Sequence, residues 1–358
     1  MLYRPFGKTG KNISVISFGG MRFSEPKDLQ KSSESLLHAH DKGINYFDTA
    51  PIYCGDRSED IFGHALRQLP RESFYVSTKC SRPNGADLRK SLERSLQRLG
   101  VEQIDFFYIW HLMTPTDWEQ RKQGGAVEAA LQAKEEGLIG HLLCSSHMEG
   151  EGLAQVLDDK IFEGVLLGYN AINFPYRRAA VEQAGKQGIG VVTMNPLGGG
   201  LIPQNPERFA FLKTATANDV VSAALQFNLS HPAITTALVG FSNTQEIDQA
   251  VAAADNFVPY SEAQQQQLQD NVETAFDGLC TGCGYCLPCP VGIPIPKYLD
   301  SYNQLILTNG DQQAVRDRYR MHWNITPQQA KECIRCGGCE ERCTQHLPIM
   351  QRLAELPD

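Results

Sequence analysis

The chain has 358 residues, 42% of them hydrophobic, and a formal net charge of −8. That length admits one large domain and a smaller one, and an acidic, sign-mixed chain lacks the basic face that holds nucleic acid. No apolar run approaches the ~18 residues of a membrane span, and the N-terminal stretch carries charges and glycines where a signal peptide would be apolar, so a cytoplasmic protein is expected.

Short apolar runs rich in β-formers recur along the chain: Val15–Gly20, Tyr46–Ala50, Tyr75–Lys79, Phe106–His111, Leu142–Ser146, Val165–Asn170, Gly190–Pro196 and Thr236–Ser242. Near-continuous apolarity suits strands buried on both faces of a parallel sheet. Between them lie helical patterns. "DLRKSLERSLQRLG" places Leu88, Leu92, Leu96 and Leu99 on one face. Glycines at 43, 100, 137 and 188 stand just before strands, where a left-handed residue closes a helix. Eight strands, each followed by a helix, predict a (β/α)8 TIM barrel. A doubly wound open sheet is the alternative, but no G-x-G-x-x-G follows the first strand.

Chemistry in such a barrel gathers where strands end. Asp48 ends the second strand, with Tyr53 just beyond; Lys79 ends the third and His111 the fourth. A phenol is a poor acid near neutral pH. An adjacent ammonium lowers its pKa, a carboxylate holds that ammonium, and an imidazole can hydrogen-bond a carbonyl oxygen. Together the four could protonate an oxygen while hydride reaches its carbon. "GINYFDTAPIYCGDRSEDIFGHAL", "FYVSTKC", "SLERSLQRLGVEQIDFFYIWH" and "PLGGGL" resemble the aldo-keto reductase superfamily over roughly residues 1–260. The resemblance implies an NAD(P)H-dependent reductase in which Tyr53 is the general acid, Lys79 and Asp48 tune it, and His111 orients the carbonyl.

The same resemblance assigns the nicotinamide amide to Ser145 and Ser146, with Asn170 after the sixth strand. A glutamine usual on that strand is replaced by Leu166. Gly240, Ser242, Gln245 and Glu246 are expected at the adenosine end. Glu246 would repel a 2′-phosphate and accept from a 2′-hydroxyl, which favours NAD there. Met113 and Trp118 are candidate walls of a pocket for a small carbonyl or alcohol substrate.

Cytosolic thiols stay reduced, so eleven cysteines do not make a disulfide framework. Eight fall in two runs: Cys280, Cys283, Cys286, Cys289 and Cys333, Cys336, Cys339, Cys343. The second reads C-x2-C-x2-C-x3-C, the ligand run of a 4Fe-4S cluster, in which the fourth cysteine can serve the other cluster. The first run is one residue shorter. Crossed pairing would join Cys343 to the first three cysteines of the first run, and Cys289 to those of the second. Zinc is the alternative. The segment between the runs looks helical, and the tail resembles a helical two-cluster ferredoxin domain. The expected organisation is a barrel over residues 1–277 and an iron–sulfur domain over 278–358, joined by a helix over 261–276 and able to work apart. The clusters would exchange electrons with the barrel or with a redox partner protein. The alternative is an electron-transfer or redox-sensing protein whose barrel turns over weakly or not at all.

Overall fold

The structure, a computed structural model, describes the chain apart from Glu262, Gln265, residues 269–277, Thr281, Cys283 and Thr344. The expected linker helix over 261–276 therefore lies largely outside the described residues, as does Cys283.

Two short strands, β1 (Tyr3–Pro5) and β2 (Asn12–Ser14), pair antiparallel. Eight parallel strands then close into a barrel in the order β10-β3-β4-β5-β6-β7-β8-β9. These are β3 (Ile16–Gly19), β4 (Tyr46–Asp48), β5 (Tyr75–Cys80), β6 (Ile104–Leu112), β7 (Ile139–Ser146), β8 (Gly164–Gly168), β9 (Gly190–Met194) and β10 (Thr236–Gly240). Each coincides with one of the apolar runs. Their alternate side chains split into two cores. One points inward, with Tyr46, Phe106, Tyr108, Leu143, Leu166, Val192 and Leu238. The other faces the helical ring, as with Phe47, Phe107 and Val191.

The bottom of the barrel is plugged by Phe6, from the loop between β1 and β2, which is fully buried and lies 4.7 Å from the Phe106 ring. Space for it comes from two glycines. A Cβ on Gly190 would stand 2.3 Å from the Phe6 ring, and one on Gly164 would stand 2.6 Å away.

The helix Gly85–Leu99 shows how the outer layer is specified. Asn84 caps it, accepting from the Ala86 and Asp87 amides, and Gly100 ends it at φ 69°. Leu88, Leu92 and Leu99 are buried; Leu96 is half-exposed at the edge of the stripe.

The tail is helical, as expected. Helices Ile295–Leu307 and Gln312–Arg318 lead into a π-helical turn, Tyr319–Trp323. Ile295, Tyr298, Leu299, Val315, Tyr319 and Leu353 form its own core, which includes Cys286 and Cys339. The tail is also seated on the barrel. Leu279 and Leu307 join the barrel's outer core, and the Asn205 amide donates to the Leu307 carbonyl at 3.1 Å.

Candidate active site

Parallel strands closing in register bring their C-terminal ends to one rim, so the residues singled out at strand ends become neighbours. Lys79 and Asp48 form a fully buried ion pair there. Lys79 Nζ also donates to the Thr49 carbonyl at 2.8 Å, and Asp48 Oδ2 accepts from Ser77 Oγ at 2.6 Å. Nζ stands 5.2 Å from the centre of the Tyr53 ring. Tyr53 opens a short turn whose next three residues, Cys54, Gly55 and Asp56, all have positive φ. Two such L residues flanking one glycine are costly; ion pairs from Asp56 to Arg94 and Arg98 hold the turn. The Trp110 ring meets the Tyr53 ring edge-on at 5.7 Å.

The electrostatics differ from the expectation. Burial, and then the Asp48 carboxylate, pushes the Tyr53 phenol well above the ordinary tyrosine value. Burial lowers the Lys79 pKa, opposed by Asp48 and Glu59. Glu59 is completely buried behind the lysine, accepting from Thr78 Oγ1 at 2.7 Å and Arg98 Nη1 at 3.2 Å. Nothing in its sequence context marked it.

His111 lies at the β6 register shift with φ 65°. Burial lowers its pKa, while Asp117 and the Met321 backbone of the tail act in the opposite direction. Its Nε2 is buried with no hydrogen-bond partner among the described residues. A substrate oxygen would supply that partner.

The residues assigned to the nucleotide divide. Ser145 and Ser146 are buried at the tip of β7, where Ser146 Oγ accepts from the Met148 amide at 3.0 Å. Leu166 pairs in register with Ser145 and belongs to the inner barrel core, which explains an apolar residue there. The Asn170 side chain ties two loops of the rim: Nδ2 donates to the Asn195 carbonyl beyond β9, and Oδ1 accepts from the Ile172 and Asn173 amides of its own loop. It shapes the rim. Both Glu246 oxygens are likewise engaged locally, by the Ser242 amide at 2.8 Å and Asn243 Nδ2 at 3.1 Å. Glu246 thus caps its own helix at the exposed surface, and Gln245 is exposed beside it.

Arg22 was not anticipated. Its Nη2 reaches the Gly199 carbonyl at 3.4 Å, and its side chain lies so close to Gly240 that a Cβ there would be 2.6 Å from Cγ. A guanidinium between the Gly198–Gly200 turn and the end of β10 occupies the rim where barrels of this kind bind phosphate. These residues fit a dinucleotide. Trp118 is not a pocket wall: it is buried against Phe162, with Nε1 donating to Asp159 at 2.6 Å.

In the tail, Cys286, Cys289, Cys333, Cys336 and Cys339 line one cavity, with Val291, Ile293 and Ile295 as walls. Arg352 faces both Cys280 and Cys343, and its Nη1 is buried with no partner among the described residues. An orphan donor beside two thiols, with soft ligands in a dry shell, fits an iron–sulfur cluster.

Family models match at both ends of the chain: the Aldo/keto reductase family over residues 15–273, and a 4Fe-4S dicluster domain over residues 279–348. Among curated relatives, L-galactose dehydrogenase of Arabidopsis thaliana is 28% identical, covering 70% of this chain and 87% of its own. NADH-specific methylglyoxal reductase of Escherichia coli is 26% identical over 60% of this chain and 73% of its own. Among solved structures, an aldo-keto reductase from Bacillus halodurans has the same fold, with a TM-score of 0.67 at 22% identity, covering 75% of this chain and 96% of its own. The chain belongs to the aldo/keto reductase family and carries a 4Fe-4S domain after its barrel.

Proposed function

We propose that this oxidoreductase reduces a small aldehyde or ketone with NAD(P)H, and that Asp48, Tyr53, Lys79 and His111 are its catalytic residues. One observation carries the reading: Tyr53 and His111 stand at the same rim, with the Lys79–Asp48 pair beneath the phenol and a buried, unpartnered nitrogen on His111. When bound, NAD(P)H supplies a hydride to the carbonyl carbon. The protein supplies the rest. His111 Nε2 orients the carbonyl oxygen, and Tyr53 delivers a proton to it. Lys79, anchored by Asp48 and Thr49, fixes the phenol and then faces the phenolate that remains. Ser145, Ser146 and Arg22, with the Gly198–Gly200 turn and Gly240, would hold the nucleotide. The names of the relatives, a methylglyoxal reductase and a galactose dehydrogenase, support small carbonyl or sugar substrates.

The tail in this reading holds two 4Fe-4S clusters, on Cys280, Cys283, Cys286 and Cys343, and on Cys289, Cys333, Cys336 and Cys339. Exposed Tyr285, Leu287 and Ile334 beside the cysteines suit contact with a redox partner protein. Among the described residues no helix is long and apolar enough to cross a membrane, and a cytoplasmic location suits so many reduced thiols.

Tyr53→Phe tests the reading. The ring still fills its place against Trp110, but the proton is gone. Carbonyl reduction should fall by about 10²–10⁴-fold, with NAD(P)H affinity by fluorescence titration unchanged. Wild-type turnover in this variant would remove Tyr53 from the mechanism.

A further inference from the structure

The barrel rim is not open all round. The π-helical turn Tyr319–Trp323 of the tail comes down on it beside His111. Three imidazoles then stand in file. The His111 ring lies 5.4 Å from that of His147, at 65°, and the His147 ring lies 5.2 Å from that of His322, at 80°. His111 and His147 belong to the barrel, at the ends of β6 and β7. His322 belongs to the tail.

The contact is built from both sides. Within the tail, fully buried Asp300 binds Arg318 at 2.7 Å and Trp323 Nε1 at 2.7 Å, which fixes both ends of the turn. From the barrel, buried Arg177 stacks on the Trp323 ring at 4.5 Å and donates to the carbonyls of His147 and Met148. One guanidinium therefore ties the loop carrying His147 to the turn carrying His322. Interlocked buried contacts of this kind hold a side chain to one orientation.

We propose that the turn Tyr319–Trp323 is a wall of the carbonyl site and that His322 is a positioning residue for His111, acting through His147. This rests on the reading of the barrel as a carbonyl reductase. Packed edge to face, each ring limits the rotation of the next, and an imidazole that orients a carbonyl must be held to within a fraction of an ångström. The charged and titratable groups facing the file are Arg177 and Arg318 around His147 and His322, and Asp117 and Arg121 around His111. Burial, followed by these arginines, holds His147 and His322 far below the ordinary histidine value, so both are neutral spacers. Removing the outermost ring admits water to the file, and His111 moves back toward its ordinary value.

The test uses the iron-loaded full chain with benzaldehyde and NADPH. His322→Ala should lower kcat/KM by between about tenfold and a hundredfold, and move the acid limb of its pH profile to higher pH. Nucleotide affinity and iron content should not change. His322→Phe keeps a ring in place and should restore most of the rate. Wild-type kcat/KM and an unmoved acid limb in His322→Ala would overturn the proposal. So would a loss accompanied by weaker nucleotide binding or lower iron, which would mark a folding defect. Wild-type protein with no Tyr53-dependent benzaldehyde reduction would sink the reading of the reaction instead. Carbethoxylation by diethyl pyrocarbonate, mapped by mass spectrometry, then judges the contact alone. Faster modification of His111 and His147 in His322→Ala supports it, and an unchanged pattern refutes it.

Discussion

An ammonium beside a phenol ordinarily draws the phenol's pKa down. At Tyr53 the order of effects is reversed, because Lys79 is already committed. Its Nζ is tied to Asp48 and the Thr49 carbonyl and meets the tyrosine at the ring. The Asp48 charge offsets the lysine's, and burial is left to dominate. The sign of the consequence is definite. A folded-state pKa raised above 10 keeps Tyr53 protonated through the basic range. In the proposed mechanism, carbonyl reduction consumes that proton, whereas alcohol oxidation needs the phenolate. Reduction should therefore show a kcat/KM that stays level up to pH 10, and oxidation a kcat/KM that climbs with pH without a plateau below it. Both profiles are measurable by steady-state kinetics. A reduction limb that falls between about pH 8 and 9 would mean that Lys79 stabilises the phenolate after all.

Elements were legible where their causes are local. The strands follow from buried apolar runs, and the helix ends from glycines that adopt left-handed backbone, as at Gly100. The shared rim of Asp48, Lys79 and His111 was legible because a strand end is a local feature and the barrel brings all such ends together. Arg22, Glu59 and His147 were missed because their neighbours are far off in sequence. The barrel floor shows the same limit. Gly190 reads as an ordinary strand start, yet its lack of a side chain answers to Phe6. That ring sits between Phe106 and Tyr46 and has nowhere to move. Gly190→Ala should thus destabilise the barrel by about 1–3 kcal/mol through overpacking, read from denaturant midpoints. Adding Phe6→Leu should recover part of the loss, since the two sites share one space. Full additivity of the two costs would show that the clash is relieved elsewhere.

Across the whole molecule, the two parts expected to work separately are in contact: Leu279 and Leu307 join the barrel's outer core, and the His322 ring meets that of His147. The tail's apolar cluster includes Cys286 and Cys339, so bound clusters would be part of its core. Cluster loss should loosen the tail, and the turn Tyr319–Trp323 should leave the rim with it. The barrel keeps its own core. Anaerobically purified protein should hold about eight iron atoms per chain. Removing them with a chelator should leave far-UV circular dichroism mostly intact. Benzaldehyde reduction should fall by a factor close to that of His322→Ala, and rebuilding with iron and sulfide should restore iron and rate together. The two losses should not compound, because apo His322→Ala lacks nothing at the rim that apo wild type still has. If the apoprotein reduces benzaldehyde at the full rate, the tail carries its clusters for a partner alone, and its seat on the barrel is a matter of attachment.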